Sequence, residues 1–556
     1  MAVSFSVLLL LRLFLALSVV TRFHADEYWQ SQEPAYNIFY PEGGGRWTYE
    51  WVFGLRSYFS IFPFLMVVGF TKFVGNFSAT AEEWLLMNAR KIAAAVIAAA
   101  TDYFMLKCTT RYFGAARSTY TWFILFSVCD CEISDTLNRS YTNGIESMFS
   151  MLALYLWPVK WAQTQYLRAL ACAGLAVLTR SSSAVTWIIP SMLAYCAAPN
   201  KANFLGLSLL IVSLILGLGL VVDRIGHGSW VSTVWNFVYW NLLTNLATFH
   251  GTSSFITYLY TMCFFSIHYM APMLAYGLYQ AVQYDRRANL MLFSVALVII
   301  AAFSLLEHKE PRFILMPQII ISMYSAFGAQ QTDILLSKRS IFRSLYRLIL
   351  AFILFGKLLA TIYAMRFKSY GFEQAVEAAL RLYDTDESIW RPESETPVIS
   401  IFSHCFMFPG KGLTNRPIHF DITVCPGGEH FTSRMPLTAE ETERLFLACE
   451  GSPELLLRNY QYKNRTMPSI VIVSTSDIKK SVSGWLSVVG EAGYSLCDVM
   501  DIRDHPFLDL VRASDYLKRH TRYHDSHFTQ IYLYCRRRDG AISNNFYTHV
   551  AYQPGK

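Results

Sequence analysis

Long apolar stretches separated by short polar segments dominate the first two thirds of the chain. A helix needs about 20 mostly apolar residues to cross a bilayer, so each stretch is a candidate membrane helix. Several stretches are shorter than that, which predicts broken or re-entrant helices among them. We expect about 11 transmembrane helices. The candidate stretches are residues 2–20, 58–75, 90–107, 118–133, 145–158, 164–178, 184–198, 203–222, 255–283, 289–306, 313–328 and 344–365.

The first apolar stretch has the position of a secretory signal peptide, which would be cleaved. It lacks a basic start, however, and Arg12 lies inside its apolar run. Cleavage after Ala25 would also place a chain terminus beside the two carboxylates that follow. We therefore expect this segment to be retained as a membrane anchor.

Two hydrophilic loops, residues 21–57 and 223–254, interrupt the apolar part of the chain. Both are rich in aromatic residues and sparsely charged, which is typical of amphipathic helices lying in the bilayer interface. In the second loop, Asp223 and Arg224 are expected to pair with each other.

After about residue 366 the pattern becomes that of a soluble protein. Ser469–Ser474 and Gln530–Cys535 predict strands, and Asp477–Glu491 predicts a helix. We expect a helical membrane domain over residues 1–365, followed by a small α/β domain over residues 366–556.

The distribution of charge supports this division. The chain is 53% hydrophobic and only 16% charged, against roughly 25% charged residues in soluble proteins. Residues 1–365 carry 42 charged side chains and residues 366–556 carry 45, although the second stretch is much shorter. This composition excludes a cytosolic enzyme, a nucleic-acid binder, a coiled coil and a disordered chain.

The excess of basic residues lies in the membrane part, which has 25 basic and 17 acidic side chains, whereas residues 366–556 have 22 and 23. Basic groups in such a domain lie at the interface or meet an anion, so we expect lipid head groups or phosphate as partners and no nucleic acid. The 11 cysteines show no metal-binding spacing, and no Walker or GxGxxG loop occurs. Cys405, Cys425, Cys449 and Cys497 are candidates for disulfides in an oxidising lumen, with Cys405–Cys425 preferred.

The first motif with catalytic chemistry is Asp26-Glu27, just beyond the first apolar stretch and among aromatic residues. Adjacent carboxylates at a membrane surface are costly to dehydrate unless they meet a donor, a metal or a substrate hydroxyl. An aspartate there could act as a general base toward a sugar hydroxyl. The structural alternative is a helix start, where acidic residues are favoured.

The second motif is Glu307–Phe313, wedged between two apolar runs. Arg312 lies three residues after Lys309 and four after His308, so each pair could share a helical face. Cations grouped at a lipid–water boundary suit a phosphate, which Arg binds in a bidentate manner and Lys as a point charge. The alternative is a positively charged loop that only fixes topology, but such a loop needs no glutamates.

A third group of polar residues follows a helical spacing. Arg139, Asn143 and Glu146 fall on one stripe of a helix predicted to continue to Leu156, and such a stripe must face the bundle interior. It could form an internal salt bridge or part of a hydroxyl-binding cleft. Arg180 stands alone between two apolar runs, as an interface anchor or a phosphate partner.

These motifs together resemble a family of eukaryotic polyprenol-dependent mannosyltransferases, glycosyltransferase family 22, over most of the chain. The resemblance rests on His24–Ser31, on Thr48–Trp51 with Leu55–Ser57, and on His308–Phe313. The sequence departs from the family pattern at Gln32, Tyr49 and Pro311. Further stretches resemble the branch of the family that adds the third mannose during glycosylphosphatidylinositol (GPI) synthesis; they are Arg139–Glu146, Arg180–Ser182, Val222–Arg224, Asn236–Phe237 and Thr248–Gly251.

The resemblance implies a GT-C membrane fold in the endoplasmic reticulum, with the active site and the C-terminal domain in the lumen. It implies that mannose passes from dolichyl-phosphate-mannose, in α1,2 linkage, to the second mannose of a GPI lipid precursor. Because the donor is β-linked, the reaction inverts the anomeric carbon in one displacement. No cofactor or metal is expected.

The resemblance also suggests roles for the residues singled out above. Asp26 is expected to be the general base, and Glu27 to orient the acceptor or to serve as the alternative base. The expected donor-phosphate ligands are His308, Lys309, Arg312 and Arg180. Residues expected to support these groups or the acceptor are Glu50, Arg56, Arg139, Asn143, Glu146 and Glu310. Residues 24–27 and 308–312 are expected to lie close together.

Three alternatives remain open on sequence. An α1,2- or α1,6-mannosyltransferase of the dolichol-linked oligosaccharide, or the fourth GPI mannosyltransferase, would share the donor and its motifs. A lipid transporter or scramblase would share the membrane helices and intramembrane charges. Such transporters commonly show repeated halves, and none is visible here.

Overall fold

The computed structural model describes residues 4–20, 26–41, 48–114, 118–243, 252–262, 270–366, 372–389, 398–402, 418–422, 469–474, 494–501 and 530–536. Contacts divide the chain into two units. The first contains Met1–Val19, Glu50–Val67 and Asn88–Met365, and the second contains Val20–Tyr49, Val68–Met87 and Arg366–Lys556. The division into domains at residues 365/366 stays a prediction.

The described part of the chain is mainly α-helical. Its α-helices are α1 Phe5–Ser18, α2 Glu33–Phe39, α3 Tyr49–Val52, α4 Phe62–Gly75, α5 Ala79–Phe113, α6 Ser118–Cys129, α7 Cys131–Leu137, α8 Thr142–Leu156, α9 Gln163–Thr179, α10 Ile188–Ala197, α11 Lys201–His227, α12 Thr233–Val238, α13 Thr257–Thr261, α14 Ala271–Tyr284, α15 Arg286–Ser304, α16 Leu315–Leu335, α17 Ser340–Arg366 and α18 Phe372–Thr385. Four 3₁₀ helices (Tyr58–Ile61, Ser181–Trp187, Pro311–Ile314 and Leu336–Lys338) and two π-helices (Tyr28–Gln32 and Tyr239–Leu243) adjoin them.

Six helical segments of the described residues are long and apolar enough to cross a bilayer. They are Tyr58–Gly75, Ala79–Phe113, Lys201–His227, Arg286–Ser304, Pro311–Lys338 and Ser340–Arg366. Other apolar helices, such as α6 and α8, are shorter than a full crossing, as the sequence predicts. The polytopic helical class is therefore confirmed, while the count of about 11 spans stays a prediction.

Small residues set the closest helix crossing in the first unit. Gly277 of α14 lies against the backbone of Tyr324 and Gly328 in α16, and a Cβ at Gly328 would collide with the carbonyl oxygen of Met273. Small residues permit this backbone-to-backbone approach, which is how membrane helices pack without a strong hydrophobic driving force. The two glycines thus fix the position of α16 against α14. α16 begins directly after the 3₁₀ helix Pro311–Ile314, which contains Arg312.

Arg12, the charge inside the first apolar run, is completely buried. Its Nε lies 2.7 Å from Asp102 Oδ2 and its Nη2 lies 3.0 Å from Asp102 Oδ1, which makes a bidentate ion pair with α5. Ser127 and Asn138 accept two further hydrogen bonds from the guanidinium. The pair attaches α1 to α5, α6 and the turn after α7.

We predict that breaking this pair destabilises the first unit. Arg12→Met leaves the buried Asp102 carboxylate uncompensated and is expected to cost about 3–5 kcal/mol, whereas the double change with Asp102→Leu recovers most of that loss. Thermal unfolding in detergent measures both. Arg347→Met is the matched control, because Arg347 is half-exposed and its partner Asp333 retains Arg343. Equal midpoints for Arg12→Met and Arg347→Met would contradict the assignment.

The second unit contains a five-stranded sheet with the order β2-β1-β3-β5-β4. The strands are β1 Val398–Phe402, β2 His419–Ile422, β3 Ile470–Ser474, β4 Tyr494–Asp501 and β5 Gln530–Arg536. β2, β1 and β3 are parallel, and β5 pairs antiparallel with β3 and β4. The predicted strands at residues 469–474 and 530–535 are confirmed, and the predicted helix at 477–491 lies outside the described residues.

A disulfide joins Cys497 on β4 to Cys535 on β5. The sequence had placed Cys497 among the candidate half-cystines but not Cys535. The preferred pair, Cys405–Cys425, lies outside the described residues. The bond joins two neighbouring strands. The pairing of β4 with β5 brings the two cysteines together, and the spacing of cysteines in the sequence does not predict that pairing.

Candidate active site

The acidic motif lies in a helical run of the second unit. Asp26 and Glu27 are helical and lead directly into the π-helix Tyr28–Gln32 and then into α2. Glu27 is fully buried, and Asp26 is partly exposed. A π-turn is a rare distortion that is frequent at functional sites. Of the two carboxylates, Asp26 is therefore the more exposed in this unit.

The rest of this helical run is fixed by polar contacts within the second unit. Gln32 Nε2 donates to the carbonyl oxygen of Leu86 at 2.6 Å. The Tyr40 hydroxyl donates to Glu82 Oε1 at 2.6 Å, and burial, followed by this hydrogen bond, raises the pKa of Tyr40. A tyrosine with a raised pKa stays protonated and remains a donor. The run is thereby held to the start of α5.

The cationic motif in the first unit is organised by Glu310. Its Oε2 lies 2.5 Å from Arg312 Nε, and its Oε1 lies 3.0 Å from His308 Nε2. The Tyr258 hydroxyl accepts from the Glu310 amide at 3.0 Å and donates to the Glu310 carbonyl at 3.1 Å. Lys309 turns elsewhere, with Nζ 3.1 Å from the carbonyl oxygen of Ser253.

The helical face that these residue pairs could share does not form. Residues 306–310 are not helical, and the 3₁₀ helix begins only at Pro311, whose ring disfavours helix in the residue before it. His308 and Arg312 nevertheless share a partner, because both contact the carboxylate of Glu310. The Lys309 ammonium group instead donates to the backbone carbonyl oxygen of Ser253.

Arg180 lies between α9 and the following 3₁₀ helix and joins the second and third motifs. Its Nε is 3.2 Å from Glu146 Oε2, and its Nη1 is 3.3 Å from Asn143 Oδ1. Asn143 in turn donates to the carbonyl oxygen of Arg312 at 3.1 Å. The guanidinium groups of Arg180 and Arg312 lie 5.1 Å and 5.8 Å from the centre of the Phe313 ring.

Arg139 does not belong to this arrangement, although it was expected to. α7 ends at Leu137 and α8 begins at Thr142, so the helix predicted to carry Arg139, Asn143 and Glu146 on one stripe is broken between them. Arg139 Nε pairs with Asp135 at 2.7 Å, and its Nη2 donates to the carbonyl oxygen of Ala364 at 3.2 Å. Only Asn143 and Glu146 turn toward Arg180.

Arg56 adds a third guanidinium to the electrostatic environment that Arg180 and Arg312 share. It pairs with Glu50, with Nη2 2.6 Å from Oε1. Burial is the largest cause that lowers the pKa of Arg180; Glu146 and Glu310 oppose the shift, the charges of Arg56 and Arg312 add to it, and the net result is a pKa of about 10. Arg180 therefore stays cationic at neutral pH.

Each of the three arginines thus has its own glutamate: Arg56 with Glu50, Arg180 with Glu146, and Arg312 with Glu310. We call these pairs the arginine cluster. A guanidinium is a planar cation with five N–H donors, so pairing with a carboxylate fixes the orientation of its plane while the charge of the cation stays. Such a cluster can bind a phosphate whose negative charge is shared among several preoriented donors.

Asp223 is a buried residue whose role sequence reasoning missed. The expected pair with Arg224 is wrong, because Asp223 Oδ1 accepts from Ser57 Oγ at 2.8 Å and from the Tyr58 amide at 2.9 Å. Its Oδ2 accepts from Thr233 Oγ1 at 2.8 Å, while Arg224 donates to the carbonyl oxygen of Gly228. Asp223 therefore joins the two hydrophilic loops directly beside Arg56.

We predict that Asp223→Asn destabilises this junction by about 1–3 kcal/mol, because an amide has one acceptor oxygen where the carboxylate has two. Thermal unfolding in detergent measures the loss. Arg224→Gln is the control, since it changes the neighbouring charge without touching Ser57 or Thr233. A midpoint for Asp223→Asn that equals the wild-type value would contradict the assignment.

Among the described residues, no group of three or more His, Cys, Asp or Glu side chains could hold a metal ion. Metal-independent catalysis stays a prediction. The expected proximity of residues 24–27 and 308–312 also stays a prediction, since the first belongs to the second unit and the other to the first unit.

Residues 3–414 match the model of the Alg9-like mannosyltransferase family, and the chain belongs to this family. It is 30% identical to GPI mannosyltransferase 3 of Yarrowia lipolytica over 320 residues, which cover 57% of this chain and 60% of that protein. It is 28% identical to mannosyltransferase APTG1 of Arabidopsis thaliana over 325 residues, 57% of each chain. The matches thus span less than two thirds of the length of these relatives.

The fold is similar to that of ArnT from Cupriavidus metallidurans, solved with undecaprenyl phosphate bound. The TM-score is 0.54 at 11% sequence identity, and the match covers 97% of this chain and 98% of that one. At this identity the similarity concerns the fold alone. It confirms the predicted GT-C class of membrane glycosyltransferase.

Proposed function

We propose that this protein transfers mannose from dolichyl-phosphate-mannose, in α1,2 linkage, to the second mannose of a GPI precursor. Family membership and the relative named GPI mannosyltransferase 3 support mannose transfer and this acceptor. The arginine cluster is the observation that carries the proposal, because three oriented guanidiniums in a multi-spanning protein suit a lipid-linked phosphate.

In the proposed reaction, the acceptor hydroxyl attacks C1 of the mannose on the face opposite the phosphate oxygen. Asp26 accepts the hydroxyl proton while the C1–O bond to phosphate breaks and its electron pair leaves with dolichyl phosphate. Attack from the opposite face converts the β-linked donor into an α-linked product. Glu27, buried beside Asp26, orients the acceptor or serves as the alternative base.

Arg312 and Arg180, with His308 and Lys309, stabilise the negative charge that develops on the leaving phosphate. Their glutamate partners keep each guanidinium plane fixed before the donor arrives, so little reorganisation is needed during the reaction. A phosphate leaving group needs no acid, and we therefore propose catalysis without a metal. Full activity in the presence of a chelator is the expected result.

The distribution of basic residues supports a lumenal site. α8 carries Asn143 near its first residue and spans about 20 Å, so its last residues mark the opposite end of the bundle. There Trp157 at the end of α8, Ala197 at the end of α10 and Arg287 at the start of α15 line one pocket. Basic residues on the helices and loops at this end are Arg111, Lys160, Lys201, Arg286 and Arg287. Cytoplasmic loops of membrane proteins carry an excess of Lys and Arg, so we propose that this end faces the cytoplasm and that the arginine cluster faces the lumen.

The disulfide between Cys497 and Cys535 supports the same orientation for the second unit, because such bonds persist in oxidising compartments. We propose the endoplasmic reticulum membrane as the location. To test the bond, a mass tag that reacts with free thiols is added to the protein in sealed vesicles, once before and once after reduction of disulfides.

Lipid analysis of cells that lack the protein tests the proposed acceptor. A GPI precursor stalled at two mannoses is the expected result, and restoration by the wild-type chain is the control. A shortened dolichol-linked oligosaccharide would instead support a sister mannosyltransferase. Normal glycolipids with altered lipid distribution between leaflets would support a scramblase.

A further inference from the structure

The second unit contains an apolar core that is shared between the acidic helix and the C-terminal sheet. Tyr28 and Trp29, the two residues that follow Glu27, are buried in it. The other buried members come from α18, the segment after it and the sheet; they are Ala375, Val376, Ala379, Leu380, Ile389, Ile399, Ile418, Ile470, Ile472, Leu533 and Cys535.

The register of the sheet shows how this core is built. Ile399 on β1 pairs with Ile470 on β3, which pairs with Cys535 on β5, and Ile472 pairs with Leu533. Side chains alternate along a strand, so these residues lie on one face of the sheet. Val471, between the two isoleucines, is equally buried but on the opposite face and is no member of this core.

β3, β4 and β5 lie beyond residue 414, where the match to the family model ends. Five of the eleven other buried members of the core around Tyr28 and Trp29 therefore come from the segment without a family match; they are Ile418, Ile470, Ile472, Leu533 and Cys535. Movement of either residue would open that core, and both directly follow Glu27 in the same helical run. The position of Asp26 and Glu27 within the second unit is thus set by the C-terminal sheet.

We infer that the C-terminal α/β unit is a positioning element for the catalytic carboxylates, with Tyr28, Trp29 and the Ile470–Ile472 face of the sheet as its contact residues. The inference rests on the proposed function of Asp26. Misplacement of a reacting group by about 1 Å can cost 10²-fold in rate, so loosening this core should lower turnover without removing a substrate contact.

Two neighbouring residues of β3 provide a matched test in the full-length chain. Ile472→Ala opens the core that holds Tyr28 and Trp29, and Val471→Ala removes a buried side chain from the other face of the same strand. We expect Ile472→Ala to lower kcat for mannose transfer about tenfold or more, with KM for the donor within about twofold of wild type. Val471→Ala is expected to keep kcat within about twofold.

Amide hydrogen exchange of residues 26–39 provides a readout that does not depend on activity. Faster exchange there in Ile472→Ala, but not in Val471→Ala, is expected. The milder Ile472→Val, which removes one methylene, should give an intermediate rate and covers the case in which Ile472→Ala does not fold. Equal kcat and equal exchange in the Ile472 and Val471 variants would overturn the inference.

Asp26→Asn, measured in the same preparations, separates this inference from the proposed function. If Asp26→Asn is inactive while Ile472→Ala keeps wild-type turnover and exchange, only the positioning role fails. If Asp26→Asn is fully active, the assigned base fails, and the exchange data alone then decide whether the sheet holds the helix.

Discussion

Asp26→Asn is expected to reduce mannose transfer by about 10²–10⁴-fold, the contribution typical of a positioned general base. The amide keeps the size of the side chain but cannot accept the hydroxyl proton. Because Asp26 is only partly buried, the change should leave the abundance and membrane insertion of the protein close to normal. Transfer of radiolabelled mannose in microsomes, normalised to protein amount, measures the effect.

Two further carboxylates make this experiment specific. Glu27→Gln tests the alternative base, and it should reduce transfer less than Asp26→Asn does. Glu33→Gln, on the same helical run and also buried, serves as the control for loss of a carboxylate. Near-normal transfer by Asp26→Asn together with a collapse in Glu27→Gln would reverse the assignment of the two residues.

Arg312→Ala is expected to reduce kcat by about 10²–10³-fold, because it removes oriented donors from the leaving phosphate in a site that excludes water. Arg312 is 4% exposed. Its backbone carbonyl accepts a hydrogen bond from Asn143, and its guanidinium contacts Glu310 and the Tyr141 ring. Arg312→Lys keeps the charge without the planar fork and should show an intermediate loss.

Steady-state kinetics with varied dolichyl-phosphate-mannose measures both changes. Arg343→Lys is the matched control, since Arg343 is also paired with a carboxylate, Asp333, on helices α16 and α17. Its turnover should equal that of wild type. Wild-type turnover in Arg312→Ala would remove this residue from the phosphate site.

Local sequence patterns were enough to find most of the candidate site. Adjacent charged residues between apolar runs indicated Asp26-Glu27 and residues 308–312, since isolated charges in such surroundings are costly. Helical spacing also selected Asn143 and Glu146 correctly, because both fall within α8. It failed for Arg139, because four residues separate α7 from α8 and no proline or glycine lies between Leu137 and Thr142 to indicate the break.

Long-range partners could not be predicted in the same way. Arg12 was noticed as a charge in an apolar run, but its partner Asp102 lies 90 residues away on another helix. Asp223 was assigned to its sequence neighbour, whereas it bonds Ser57, 166 residues earlier. Pairing of buried polar groups is decided by which helices pack together, and one sequence alone does not contain that information.

The C-terminal unit shows the same limit. Apolar β-branched runs predicted β3 and β5 correctly, because strand propensity is a local property. That Tyr28 and Trp29 belong to the core of these strands depends on contacts across more than 400 residues of chain. The relation of the acidic helix to the sheet therefore became visible only in the structure.

Mannose transfer by the purified protein in liposomes tests the central claim most directly. The substrates are dolichyl-phosphate-mannose and a GPI precursor bearing two mannoses, with a dolichol-linked oligosaccharide as the competing acceptor. We predict a GPI product with a third mannose that an α1,2-specific mannosidase removes, formed in the presence of a chelator and lost in Asp26→Asn. Transfer to the dolichol-linked acceptor alone, or no transfer to either acceptor, would contradict it.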